Sequence, residues 1–202
     1  MLYAPQMILI GSAGQNAGKT TLAKALIKTW KSFPPGSPAH APIVALKITS
    51  VAQQGALCPR GGTGCGACVS ITQDFVLEEE QGTSPNKDTA QLLKAGADRV
   101  FWLRSLYGSM AAAYTHFLDQ IPPKGLIICE SNSLREVVLP GCFIMLMNTA
   151  GTAVKPTAAR VLPLADLVIQ NKGLPEDLNS VISRIQVIRD DTRGIQVHLR
   201  GE

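Results

Sequence analysis

The residues best suited to chemistry in this chain are Ala13-Gly14-Gln15-Asn16-Ala17-Gly18-Lys19-Thr20. They follow an apolar run, "MILIG" (Met7 to Gly11), and open a stretch with helical spacing. Small residues in such a turn let successive backbone N–H groups converge on phosphate oxygens. A helix N-terminus behind them adds unpaired donors and a favourable dipole. Lys19 is spaced to reach β- and γ-phosphate oxygens, and the Thr20 hydroxyl to join a Mg2+ shell. Ala13 stands where the usual pattern begins with Gly. The predicted cradle is Gly14, Gln15, Asn16, Ala17, Gly18, Lys19, Thr20 and Thr21. The plain alternative is a strand-to-helix connection without a ligand. Gly-Lys-Thr at this spacing and in this context favours a nucleoside di- or triphosphate.

A triphosphate site also needs a carboxylate for Mg2+ or its water, at the end of a neighbouring strand. "LIICE" supplies Glu130 after four apolar residues. Thr20 and Glu130 are the expected Mg2+ side of the site, and Lys19 and Glu130 its catalytic pair. The alternative is an ordinary charge at a strand end. Asp98 and Asp166 precede their strands and are expected at the opposite edge. For the base, "VIQNK" ends in Asn171-Lys172, similar to an Asn-Lys-x-Asp guanine reader, but Leu174 replaces the Asp. Asp177 lies three residues later and would need a different loop shape. ATP therefore stays open beside GTP.

The third group is sulfur. "CPRGGTGCGAC" holds Cys58, Cys65 and Cys68 in a C-x6-C-x2-C arrangement. The two-residue spacer lets two thiolates reach one metal, and nearby glycines let N–H groups approach sulfur. Three thiolates suit a [4Fe–4S] cluster with an open iron or an outside fourth ligand. They equally suit Zn2+ with one further ligand. A redox-active pair, or no special role, are the other readings. Cys129 lies in an apolar strand and is expected to act as a small hydrophobe; Cys142 is open to either role.

These residues need a frame. Apolar runs at 7–11, 43–48, 126–131, 143–148 and 166–171 alternate with amphipathic segments at 19–31, 87–97, 109–119 and from 176 onwards. Leu22, Leu26 and Trp30 fall four apart and share a helix face. Nearly continuous apolar strands separated by helices imply an α/β fold: a mainly parallel sheet flanked by helices on both faces, the three-layer arrangement of P-loop NTPases. "DFVLEE" and "RVFWL" add strands, and residues 185–202 read as a strand and a tail. One domain over residues 1–202 is expected, with 50–75 an inserted Cys/Gly-rich loop.

Bulk properties narrow the functions. With 46% hydrophobic residues the chain can build a core, and a net charge of +4 from scattered Lys and Arg gives no footprint for nucleic acid. The N-terminus lacks a basic n-region, and no apolar run approaches the roughly 20 residues that span a bilayer. A cytoplasmic protein with mostly reduced cysteines is expected.

Three separated segments resemble, in order, the molybdopterin-guanine dinucleotide biosynthesis protein B family. They are the loop "GSAGQNAGKTTLAKALI" with a strand ending in Lys47 ("ALKIT"), the stretch "SPNKDTAQLLKAGADRV", and "GLIICESNSL". The chain departs from the family where Ile48 and Thr49 replace a histidine region and Ser131 replaces a glycine. It is also longer between Lys47 and Asp88. The resemblance covers about the first three-quarters of the chain. It implies a GTP-binding P-loop protein, often a homodimer, with weak GTPase activity, assisting a molybdenum cofactor nucleotidyltransferase or molybdoenzyme. By position it adds Lys47 and Asp88 to the nucleotide site, although Asp88 could instead cap the following helix. Two other functions are open: a nucleotide-switched metal or iron–sulfur delivery module, and an ATP-dependent ligase or kinase with substrate at the Ser131–Ser133 turn.

Overall fold

A computed structural model describes the chain except residues 15, 38, 53–70, 72, 83–86, 149–152, 172–175, 191 and 201–202, and the side chains of 176 and 177. The strands are β1 (Leu2–Ser12), β2 (Ile43–Val51), β3 (Phe75–Glu79), β4 (Arg99–Leu106), β5 (Leu126–Glu130), β6 (Val138–Met147), β7 (Leu167–Gln170), β8 (Ile185–Asp190) and β9 (Gly194–Leu199). The helices are α1 (Lys19–Lys31), α2 (Asp88–Lys94), α3 (Met110–Leu118), α4 (Pro156–Val161) and α5 (Glu176–Arg184).

Seven strands form one sheet in the order β3-β4-β2-β5-β1-β6-β7, parallel throughout except for β3, which runs antiparallel to β4. The fold is α/β, as expected from the apolar strand runs. Successive side chains of a strand point to opposite faces, and β1 shows why the sheet is covered twice. Ile8 and Ile10 join a cluster with Leu22, Leu26 and Trp30 of α1, whereas Met7 and Leu9 join one with Tyr114 and Phe117 of α3. All five residues of β5 are buried.

Sequence and structure differ at both ends. β1 begins at Leu2, five residues before the predicted apolar run, and its register with β6 shifts between Ala4 and Ile8. Pro5 lies within that shift; it has no N–H to give a ladder, so proline favours such irregularities. Residues 185–199 form a two-stranded antiparallel ribbon instead of one strand and a tail. Its turn is built by Asp190, whose Oδ1 accepts from the N–H groups of Thr192 and Arg193 at 2.8 Å each. Gly194 then takes φ +77°, where a side chain would be strained. Val187, Ile195 and Val197 of the ribbon join the cluster on the α1 side.

Acidic residues at the N-terminal edge of the sheet hold strand starts in place. Asp98 Oδ2 accepts from Ile43 N–H at 2.8 Å, and Asp166 Oδ2 from Phe143 N–H at 2.6 Å. Neither faces the opposite edge, where the glycine-rich turn after β1 lies. Among the described residues no helix is long and apolar enough to cross a membrane.

Backbones approach closely where the ribbon meets the sheet. A Cβ on Gly141 would lie 2.2 Å from the Pro5 carbonyl oxygen and 2.7 Å from that of Val197. Neither backbone can yield without parting β1 from β6 or β9 from the sheet. Gly141→Ala is expected to lower the unfolding free energy by about 1–3 kcal/mol, read from urea denaturation. Gly108→Ala, whose Cβ would meet nothing within 4 Å, is the matched control.

Candidate functional site

The turn after β1 sits at the C-terminal edge of the sheet, between β5 and β6. Clefts in open α/β sheets form at this edge, where the order of the strands reverses. Gly18 holds φ +89° and Asn16 φ +54°. Both are conformations that Gly, and to a lesser extent Asn, tolerate. A Cβ on Gly14 would lie 2.2 Å from Asn148 Nδ2, so a larger residue there would displace the Asn148 amide. The first turn of α1 contains no acidic residue and its last turn carries Lys28 and Lys31. The positive end of the helix dipole is therefore left for an anion.

Lys19 folds back over the turn. Its Nζ donates to Ser12 Oγ at 2.7 Å, and that hydroxyl donates to Gly14 O at 2.9 Å. Thr20 Oγ1 donates to Glu130 Oε2 at 3.2 Å. Glu130 is 3% exposed, and its other oxygen, Oε1, is buried with no hydrogen-bond partner among the described residues. The parallel register aligns Ile10 with Glu130, Glu130 with Lys47, and Lys47 with Trp102, so these side chains share the α1 face.

Burial opposes charge in both directions here. It raises the Glu130 carboxyl above its ordinary value of 4.5, while Lys47, Lys19 and the Thr20 hydrogen bond pull it back. Burial lowers Lys19, opposed by Glu130 and reinforced by the positive charges of Lys155 and Lys47. Burial, reinforced by Glu130, raises Cys129, and burial, reinforced by Asp166, takes Cys142 to about 12; both are free thiols packed in the core.

Lys47 and Asp88 form an ion pair between β2 and the start of α2. Asp88 does not cap its helix. Lys87 occupies the cap position without a side-chain bond, and Asp88 is the first helical residue, turned to Lys47. Asn171 Nδ2 donates to Ala17 O at 3.1 Å, which ties the end of β7 to the turn before α1. Gly14, Asn16, Ala17, Gly18, Lys19, Thr20, Thr21, Lys47, Asp88, Glu130 and Asn171 are thus all described around this edge. Gln15, Lys172, Cys58, Cys65 and Cys68 lie outside the described residues, as does the side chain of Asp177.

Several residues of the site carry no motif: the Ser131–Ser133 turn was expected only as a substrate site for a ligase or kinase, and Lys155 and Thr157 not at all. Asn132 accepts from Ser12 N–H at 2.8 Å and donates back to Ser12 O at 3.0 Å, gripping the last residue of β1 by its backbone. Its Nδ2 also lies 3.4 Å from Thr157 Oγ1. Lys155 N–H donates to Ala13 O at 2.9 Å. In the turn after Glu130, Ser131 Oγ accepts from Leu134 N–H at 3.1 Å, and Ser133 hydrogen-bonds to Ser50. The only hint of Asn132 in sequence is a small polar turn, "SNS", directly after the carboxylate. Lys155 and Thr157 lie 25 and 27 residues past Glu130, with nothing in between to link them.

Together these groups line an open cleft of about 1200 Å3 that reaches from Asn16 and Lys19 across Glu130 to Trp102 and Tyr107. Among the described residues, four lysines (Lys19, Lys47, Lys87 and Lys155) and two carboxylates (Asp88 and Glu130) line it, an excess of positive charge.

The raised Glu130 carboxyl gives a pH signature. A carboxyl that binds its proton more tightly when folded contributes stability below its unfolded value. That contribution is lost as pH rises from near 4.5 through the raised folded value. Across this window the stability of wild type minus that of Glu130→Gln is expected to fall with rising pH. Thermal melts of the two proteins at matched pH check this, and a flat difference would contradict the burial argument.

Comparison with models of protein families, with curated proteins and with solved structures found nothing that matches this chain.

Proposed function

We propose that this chain is a P-loop protein that binds a Mg2+–nucleoside triphosphate in the cleft beside α1 and hydrolyses it slowly. The observation that carries the proposal is the pairing of Thr20 with Glu130. A hydroxyl at the helix start meets a buried carboxylate whose second oxygen has no described partner, directly beside a lysine. Mg2+ typically keeps several waters and takes one or two protein oxygens plus phosphate oxygens. Thr20 Oγ1 and Glu130 fit that demand and would hold it. Bound Mg2+ would supply neutralisation of the β- and γ-phosphate charge.

The protein's own part is binding and orientation. Backbone N–H groups of the turn and the first turn of α1 receive phosphate oxygens. Lys19 exchanges Ser12 Oγ for a phosphate oxygen, a stronger charge-assisted contact. Transition-state charge on the transferring phosphoryl group is then stabilised by donors already in place. Of the carboxylates lining the cleft, Glu130 is taken by the Mg2+ side and Asp88 by Lys47. With no other described carboxylate or histidine to position the attacking water, slow turnover follows.

Guanine is the proposed base, on the likeness to the molybdopterin-guanine dinucleotide biosynthesis protein B family, with ATP as the alternative. On the same likeness the chain serves as an accessory in molybdenum cofactor biosynthesis. Titration calorimetry with GTP and with ATP, each with Mg2+, tests the proposal. Lys19→Ala is expected to weaken triphosphate binding by about tenfold to a hundredfold, the loss of one charged hydrogen bond. Glu130→Gln should abolish the Mg2+ dependence of binding. In wild type, Mg2+-dependent affinity should decline on acidification at a higher pH than an ordinary glutamate allows, because burial raises Glu130. Absence of affinity for either triphosphate in the folded wild type would overturn the proposal.

A further inference from the structure

The cleft is longer than the turn that a phosphate chain would occupy. Asn171 braces that turn from the β7 side, where the sequence leads one to expect the base reader. From β7 the strand order runs through β6, β1 and β5 to β2 and β4. The cleft extends in this second direction. Past Glu130 on β5 it continues over Thr49 and Ser50 of β2 to Trp102 of β4 and to Tyr107. A nucleotide with its base towards β7 and its phosphates on the turn would therefore aim its terminal phosphate into this far half.

The far half has polar groups set in a firm wall. Ser131 and Ser133 line it and are only 4% and 7% exposed. Ser133 Oγ hydrogen-bonds to Ser50 Oγ and lies 3.3 Å from Ser131 Oγ, which also accepts from Leu134 N–H. Three hydroxyls carry three protons and the two links between them use two. One O–H is left without an acceptor among the described residues, ready for a ligand oxygen. Beside them, Trp102 Nε1 donates to Thr49 Oγ1 at 3.0 Å, and the Arg104 guanidinium lies over the indole, 4.6 Å from the ring centroid. Fixed on both counts, the indole can take the apolar body of a small molecule.

Resting on the nucleotide site proposed above, we infer that the half of the cleft over β2 and β4 binds a small carboxylic acid, which accepts the terminal phosphoryl group in place of water. The choice of acid follows from proton bookkeeping. An alcohol or a water molecule must lose a proton to a positioned base as it attacks. Of the described lining carboxylates, Asp88 is paired with Lys47 and Glu130 is taken by the Mg2+ side, and no histidine lines the cleft. The undescribed stretches 53–70, 83–86 and 149–152 contain no Asp, Glu or His either. A carboxylic acid is already ionised at neutral pH and needs no base. One carboxylate oxygen attacks the terminal phosphorus, forming an acyl phosphate. The bond from that phosphorus to the bridging oxygen breaks, and the nucleoside diphosphate leaves with the electron pair. No proton moves and nothing is oxidised. The other carboxylate oxygen accepts the unused serine O–H.

The test follows nucleoside diphosphate release by the full chain with Mg2+ and GTP or ATP. Acetate, succinate and benzoate are each added against the matching alcohol: ethanol, butanediol or benzyl alcohol. At least one acid should raise the rate by about tenfold or more, a lowering of the barrier by one such factor. With hydroxylamine present, its hydroxamate should appear in step with the diphosphate, which marks a trapped acyl phosphate. In Ser50→Ala and Ser133→Ala, with circular dichroism confirming the fold, the KM for that acid should rise by about tenfold. That rise should exceed any change in the KM for the triphosphate. The inference is overturned if no acid accelerates release, if the alcohols serve as well, or if release quickens without hydroxamate. An acid KM unmoved in both serine variants would overturn it too. Failure of the underlying nucleotide site is distinguishable, because wild type would then bind neither triphosphate.

Discussion

The register of β1 against β5 is the constraint on which the rest of this site depends. Ile10 faces Glu130 across the ladder, and two residues further along each strand the Asn132 carboxamide closes on the backbone of Ser12. A slip of one residue would turn every side chain of β5 to the other face. Glu130 would then sit among Met7, Leu9 and Phe143, and Cys129 would face Thr20. Because β5 is apolar and buried on both sides, such a slip would bury the carboxylate without any of its counter-charges. The same pairing that fills the core therefore places the carboxylate beside the turn between β1 and α1.

The electrostatics follow from that placement. Glu130 and Lys19 are both pushed towards their neutral forms by burial, and each is partly restored by the other. A buried charge with an incomplete set of partners is costly, and here the cost is concentrated at the edge of the sheet that carries the glycine-rich turn. Asp98 and Asp166 show the contrast. At the other edge of the same sheet they accept strand-start N–H groups, and there they act as part of the frame. The direction of a parallel sheet thus separates carboxylates that build the fold from the one suited to ligand chemistry.

Asn171 and Asp88 show how a residue can sit at the expected place with a different partner. Asn171 reaches the site from the end of β7, and its amide bonds to the Ala17 carbonyl of the glycine-rich turn. Asp88 begins α2 but turns to Lys47, since an ammonium half-buried on β2 attracts it more strongly than local backbone N–H groups do. Both contacts brace the cleft laterally, from the β7 side and from α2.

The local elements were legible in the sequence: period-four apolar spacing for α1, unbroken apolar runs for the parallel strands, small residues for the turn, and strand-end positions for Glu130 and Asn171. The turn at 190–194 was missed because its signal is a single Asp and Gly in a short polar stretch. What the sequence by itself determined is therefore the elements whose periodicity or backbone preference runs over enough residues to stand out; short ones, such as α4 and the turn at Asp190, carry too little of either. Only the tertiary structure decided the strand order that sets β1 between β5 and β6, the grip of Asn132 on Ser12, and the arrival of the Lys155 backbone at Ala13. Those contacts join residues 120 or more positions apart. They follow from burial of both sheet faces at once, a constraint that no local window of sequence contains.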